Sequence, residues 1–204
     1  AELPGGAPVV LVAAGAYHWA AVLADGAVMT CGGGSEGQLG HGDAQDQLQP
    51  ARLPLPAFGG APVVLVACGS FHTLAVTGAG RVYSCGDNSF GQLGHGNTTS
   101  AQVFTPVDAE QLGGAHIAMA ACGDYHSVAV TAEGDVFTWG HGGRGRLGHN
   151  DEQGKLAPAQ LERGQFGGGK VVLVAAGGAH TVALAADGAL WVWGWGLYGQ
   201  LGLG

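Results

Sequence analysis

Residues 69–96 read GSFHTLAVTGAGRVYSCGDNSFGQLGHG, and the stretch recurs along the chain in strict register. Its histidine, His72, is preceded by His18 and followed by His126 and His180, each step being 54 residues. The closing Leu93-Gly94 pair has counterparts at Leu39-Gly40, Leu147-Gly148 and Leu201-Gly202, at the same step. Nine positions are identical in all four copies; in the first they are Ala13, Gly15, His18, Ala21, Gly26, Gly32, Gly37, Leu39 and Gly40. A fixed period of this kind marks a repeat architecture, in which each unit buries its apolar face against its neighbours.

Within one unit the pattern is that of strands. Residues 9–14 (VVLVAA), 18–24 (HWAAVLA) and 27–31 (AVMTC) are apolar runs, with Asp25-Gly26 between the second and third. Asp-Gly between apolar runs predicts a hairpin with a type I′ turn, which needs positive φ at both residues. The matching turns are Gly78-Ala79-Gly80, Glu133-Gly134 and Asp187-Gly188. The stretch 48–56 (LQPARLPLP) follows a glycine-rich segment, and its prolines suit an outermost edge strand. Strand three carries apolar residues on both faces: its first two positions read Val28-Met29, Val82-Tyr83, Val136-Phe137 and Leu190-Trp191, and its fourth reads Cys31, Cys85, Trp139 and Trp193. A sheet covered on both faces fits radial stacking. The expected fold is all-β, a β-propeller of four-stranded blades. Its repeats run over about 8–61, 62–115, 116–169 and 170–204, the last incomplete, within a single domain, 1–204.

Composition supports a folded, turn-rich chain. The 204 residues include 41 glycines and 8 prolines, with 47% hydrophobic and 11% charged residues and a net charge of −8. Glycine without a three-residue period excludes collagen, and the apolar content excludes a disordered chain. The acidic balance argues against a general nucleic-acid binder, and no stretch approaches the roughly 18 apolar residues of a membrane span. The opening AELPGGAPVV is not a signal peptide. Four cysteines, Cys31, Cys68, Cys85 and Cys122, are too sparse for a small disulfide scaffold, and an intracellular setting is expected.

The Gly-x-x-His-[Thr/Ser] start followed by Gly-x-x-x-x-Gly-[Gln/Arg]-Leu-Gly resembles the regulator of chromosome condensation repeat. Here these elements stand as GSFHT (69–73) with GDNSFGQLGHG (86–96), and as GDYHS (123–127) with GHGGRGRLGHN (140–150). The resemblance implies seven-bladed propellers of four-stranded blades, of which this chain would be an arc of about four. Residues 1–7 match the tail of a preceding unit, LPAFGGA at 55–61, so the chain is expected to belong to a longer one. Members that sense ultraviolet light stack tryptophans beside arginines. Trp191, Trp193 and Trp195 cluster here, but the Gly-Trp-Arg-His-Thr motif is absent.

Residues that repeat are read as architectural. His18, His72, His126 and His180 are each expected to fix a neighbouring turn through a ring nitrogen, because a catalytic histidine would be needed once and not in every unit. His41, His95 and His149 share a second repeated position. Cys68-x-x-x-His72 and Cys122-x-x-x-His126 could suggest zinc, yet Ala14 and Ala176 replace the cysteines elsewhere. The run from Gly164 to Lys170 lacks the Ser or Thr of a P-loop, Val171 standing in its place. No catalytic residue, cofactor or metal is expected.

Residues that break the period are the candidates for binding. One loop position reads Glu36, Phe90, Arg144 and Tyr198; three positions earlier it reads Gly33, Asp87, His141 and Trp195. Loops on a rigid scaffold carry recognition, and aromatic and arginine residues are favoured anchors. Residues 1–140 hold two basic and eleven acidic side chains, a net of −9. Residues 141–170 hold Arg144, Arg146, Lys155, Arg163 and Lys170 against three acids, a net of +2. Glu36, Asp87, Phe90, His141, Arg144, Arg146, Trp195 and Tyr198 are therefore the candidate partner-binding residues. The expected function is a non-catalytic protein-interaction scaffold. The alternative implied by the resemblance is guanine-nucleotide exchange on a small GTPase. Partners are then proteins, a small GTPase or a large complex, with no membrane and no nucleic acid.

Overall fold

The apolar runs and glycine turns fold into fifteen antiparallel strands in the computed structural model, which describes residues 7–203. Blade 1 comprises β1 (Val9–Ala14), β2 (His18–Leu23), β3 (Val28–Gly32) and β4 (Gln47–Leu53), paired in that order. Blade 2 repeats the order with β5 (Val63–Cys68), β6 (His72–Thr77), β7 (Val82–Gly86) and β8 (Ala101–Pro106). Blade 3 does so with β9 (Ile117–Cys122), β10 (His126–Thr131), β11 (Val136–Gly140) and β12 (Lys155–Gln160). Blade 4 has three strands among the described residues, β13 (Val171–Ala176), β14 (His180–Ala185) and β15 (Leu190–Gly194). The match of residues 1–7 to a preceding unit lies, except for Ala7, outside the described residues.

The proline-bearing stretch is the outer strand, as expected, but it ends sooner. β4 stops at Leu53; Pro54 and the residues after it turn into a short 3-10 helix over Leu55–Phe58. The hairpin turns also differ from the expected type. Gly26, Gly80, Gly134 and Gly188 have φ between 75° and 89°, whereas the residue before each is not in the left-handed region. Each glycine N–H donates to the carbonyl three residues back (Leu23, Thr77, Thr131 and Ala185, at 2.8–3.0 Å). This is a three-residue loop, a type I turn closed by a left-handed glycine. One positive φ suffices, so Asp, Ala and Glu are all accepted before the glycine.

The core lies between blades. Val22, Val28, Leu53 and Phe58 of the first repeat pack with Val66 and Phe104 of the second, and equivalent clusters join blades 2 to 3 and 3 to 4. Innermost strands sit side by side, β5 against both β1 and β9. Their closeness requires Gly15, Gly69, Gly123 and Gly177 at the inner turn. A Cβ at Gly69 would lie 2.6 Å from the Gly123 carbonyl oxygen and against the His72 ring. Gly69→Ala is therefore expected to cost roughly 1–3 kcal/mol in denaturant unfolding, the usual range for overpacking. Gly164, with nothing within 4 Å of its added methyl, tolerates alanine to within about 0.5 kcal/mol.

Candidate functional site

Strand order places the connection between first and second strands of each blade, and the segment that follows its third strand, at one end, and the hairpins between second and third strands at the other. The first end is the candidate surface. Beneath it a hydrogen-bond relay joins each blade to the next. His18 Nε2 lies 2.7 Å from Thr73 Oγ1, and that hydroxyl donates to the Gln38 carbonyl at 2.7 Å. His72, Ser127 and the Gln92 carbonyl repeat the arrangement at 3.0 and 2.8 Å. His126, Thr181 and the Arg146 carbonyl do so at 3.0 Å for both bonds. The hydroxyl's single proton is spent on the carbonyl, so the histidine donates from Nε2 and Nδ1 carries the lone pair. For His18, His72 and His126 the expectation that they fix a neighbouring turn gives way to this geometry: they reach across to the next blade.

The same carbonyl takes a second donor from the following blade. Cys85 Sγ reaches Gln38 at 3.4 Å, while Trp139 Nε1 and Trp193 Nε1 reach Gln92 and Arg146 at 2.8 and 3.0 Å. Cysteine and tryptophan alternate at this position because each offers a donor to one acceptor. Cys68 and Cys122 pack at the inner strands, where burial pushes the Cys68 thiol up to about 12. His41, His95 and His149 each meet a hydroxyl of their own blade, on Thr30, Ser84 and Thr138, at 2.9–3.0 Å. Among the described residues no three His, Cys, Asp or Glu side chains form a metal-holding group.

Above the relay the position after the turn glycine is Gln38, Gln92 and Gln200 in three blades and Arg146 in blade 3. Gln38, Gln92 and Gln200 each accept, through Oε1, the backbone N–H of the variable residue Glu36, Phe90 or Tyr198 at 2.9 Å. Blade 3 has Arg146 there, which has no acceptor. Its Nε instead donates to the Gly143 carbonyl at 2.9 Å, and a terminal nitrogen to Gly178 at 3.3 Å. The backbone above it changes accordingly: Arg144 stands at φ 65°, with its guanidinium carbon 4.1 Å over the Trp195 ring.

The candidate residues separate by what their side chains do. Phe90 touches His141 edge-on at 4.5 Å between ring centres and Tyr125 at 5.3 Å. Trp195 meets Tyr198 at 5.1 Å. Phe90, Tyr125, His141, Arg144, Arg146 and Trp195 line a groove of about 470 Å³ between blades 3 and 4. Glu36, Phe71, Asp87 and Phe90 border an adjoining one of about 360 Å³. Asp87 is buried, its oxygens taken by the Gln92 amide at 2.7 Å and the Ser89 N–H at 2.9 Å. Arg146 is 6% exposed.

Three residues enter the surface that the sequence reading did not select. Tyr17 stacks on Phe71 at 4.9 Å, and Phe71 faces Tyr125 at 6.3 Å. The signal was present: the residue before the repeated histidine is aromatic in three copies and Ala179 in the fourth. The basic stretch 141–170 does not form one patch. Arg163 pairs with Asp135 at 2.6 Å at the hairpin end, and Lys155 with Asp151 at 3.3 Å. Trp191 and Trp193 lie between blades against Phe166, so of the three clustered tryptophans only Trp195 reaches the groove.

The RCC1-like domain model matches residues 2–204. The chain belongs to the RCC1-like domain family. It is similar to the ultraviolet-B receptor UVR8 of Arabidopsis thaliana, 46% identical over 197 residues that cover 96% of this chain and 43% of the receptor. It is 41% identical over 201 residues to the E3 ubiquitin-protein ligase HERC2 of Homo sapiens, covering 98% of this chain and 4% of the ligase. Among solved structures, human WBSCR16 superposes with a TM-score of 0.88 at 30% identity, over 98% of this chain and 51% of that one. Prp20p of Saccharomyces cerevisiae gives 0.76 at 25% identity, over 88% and 45%. The chain thus spans less than half the length of these two sequence relatives and about half of each solved propeller. Among the described residues no helix is long and apolar enough to cross a membrane.

Burial holds the relay imidazoles neutral, lowering His18 to about 4 and His72 and His126 to about 3 from an ordinary 6.5. Below about pH 6.5 the unfolded chain takes up protons that the folded one refuses, so stability falls as pH drops. The melting temperature is expected to be flat from pH 8 to 7 and to decline steadily from pH 6.5 towards 4. His72→Gln should melt lower at pH 8 but decline less steeply, which thermal unfolding by circular dichroism measures.

Proposed function

We propose that this propeller is a non-catalytic protein-interaction module whose partner-binding surface is the loop end of blades 1–4. The observation that carries the reading is a run of partly exposed aromatic side chains fixed on a rigid scaffold. Tyr17 is 61% exposed, Phe90 41% and Tyr198 79%, yet each is held by an aromatic neighbour. Pre-ordered aromatic rings beside a groove are what protein interfaces use as anchors, because little rotamer entropy is lost on binding. Related propellers support a protein partner. Prp20p is described for its binding to Gsp1p and histones, and in a complex with Kap60. We also read the four blades as an arc of a larger ring, supported by the share of the solved propellers that the chain covers. The four cysteines are free thiols, which supports an intracellular setting.

Replacing both Phe90 and Tyr198 by alanine is expected to weaken capture of bound proteins tenfold or more. The melting temperature should stay within a few degrees, since both side chains face solvent. Quantitative affinity capture of parent and variant, with mass-spectrometric identification, checks this. Equal capture by both proteins would remove the loop end from consideration. Nucleotide release from a panel of small GTPases is measured alongside; strong acceleration by the full-length protein would replace the scaffold reading with exchange activity.

A further inference from the structure

The groove between blades 3 and 4 holds two guanidinium groups, neither of which forms an ion pair among the described residues. Among the described residues the ion pairs are made by Arg52, Lys155 and Arg163, and neither Arg144 nor Arg146 takes part in one. Arg146 is buried and bonds only to the carbonyls of Gly143 and Gly178. Burial and the neighbouring Arg144 both disfavour its charge, and the one opposing influence is Asp124. Asp124 lines the same groove, and the Ser70 hydroxyl donates to its carboxylate at 2.8 Å. Burial and the two arginines also hold His141 below its usual range, so it adds no charge at neutral pH. Two cations against one anion leave the groove one positive charge in excess.

The backbone supports this accumulation being built for a ligand. Arg144 sits in the left-handed region, which non-glycine residues rarely adopt. Its counterparts Glu36, Phe90 and Tyr198 do not. Strained residues of this kind persist where surrounding structure over-determines them, and they cluster at binding sites. Here the conformation holds the guanidinium over Trp195 at the groove rim, beside the apolar surface of Phe90 and Tyr125.

The geometry points to the carboxylate of an aspartate or glutamate, within an extended segment of a protein partner, as the ligand of Arg144 and Arg146, with a flanking apolar side chain on Phe90 and Tyr125. This rests on the reading of the loop end as a protein-binding surface and specifies the chemistry of its partner. A carboxylate matches the single excess charge. A phosphorylated side chain, at about −1.5 to −2 near neutral pH, exceeds it and would be opposed by Asp124.

The test uses a phage-displayed library of random dodecapeptides, selected on the full chain and on its Arg144→Gly variant. Peptides enriched on the parent should carry aspartate or glutamate next to an aromatic or aliphatic residue. A selected peptide should bind Arg144→Gly about tenfold or more weakly by fluorescence polarisation, the effect of losing one charge-assisted contact. The variant should melt no lower than the parent, because glycine relaxes the left-handed position. Enriched peptides that need Phe90 and Tyr198 but lack acids, or that bind Arg144→Gly equally well, would overturn the carboxylate assignment and leave the interaction reading standing. Tighter binding of the same peptide with phosphoserine in place of its acid would also overturn it. No enrichment on either protein, or concentration-dependent self-association that buries the groove, would overturn both.

Discussion

Each blade is anchored to the next by one acceptor, the backbone carbonyl of Gln38, Gln92 or Arg146. It receives a hydroxyl proton and a thiol or indole proton from the following blade. The hydroxyl is in turn held by the histidine of the preceding blade. Buried polar groups are tolerable only when paired, so the acceptor, the hydroxyl and the histidine are required together. The inner glycine is required as well, since the imidazole occupies the space a Cβ would need. This relay accounts for the Gly-x-x-His-[Thr/Ser] element as a blade-joining device. It also sets the distance at which the clusters between blades close over Phe58, Trp139 and Phe166.

The candidate surface arises from a departure directly above that anchor. A glutamine in this position serves twice, through its backbone carbonyl below and its side-chain oxygen above, where it pins the loop. Arginine keeps the backbone role and cannot fill the other. The loop of blade 3 is therefore rebuilt around donors, with Arg144 turned onto Trp195 and Arg146 tucked beneath. A single change of hydrogen-bonding sense thus converts a repeated turn into a positively charged groove without disturbing the blade interface.

Much of this was legible because repetition aligns the chain with itself. The 54-residue step, the three inner strands and the edge position of the proline stretch all follow from glycine spacing and apolar runs. Turn type did not follow, because Asp-Gly suits both a two-residue type I′ turn and a three-residue loop, and backbone pairing decides between them. Searching the positions that break the period located Phe90, His141, Arg144, Trp195 and Tyr198, which adjoin one another on the loop end. The same search selected Asp87 and Arg146, whose side chains are largely buried in loop-stabilising bonds. Tyr17, Phe71 and Tyr125 flank the repeated histidine in the sequence, and only the packing of adjacent blades brings their rings together on the surface.

The sequence by itself determined the unit: its length, its strand order and the residues that each copy must share. Those properties depend on local conformation and on periodicity, both written along the chain. Tertiary structure alone decided what each shared residue bonds to and which of the variable ones meet. Every relay bond crosses from one blade to the next, and the groove draws its wall from residues as far apart as Phe90 and Trp195. Partners of that kind are set by the radial packing of sheets, which no stretch of a single repeat contains.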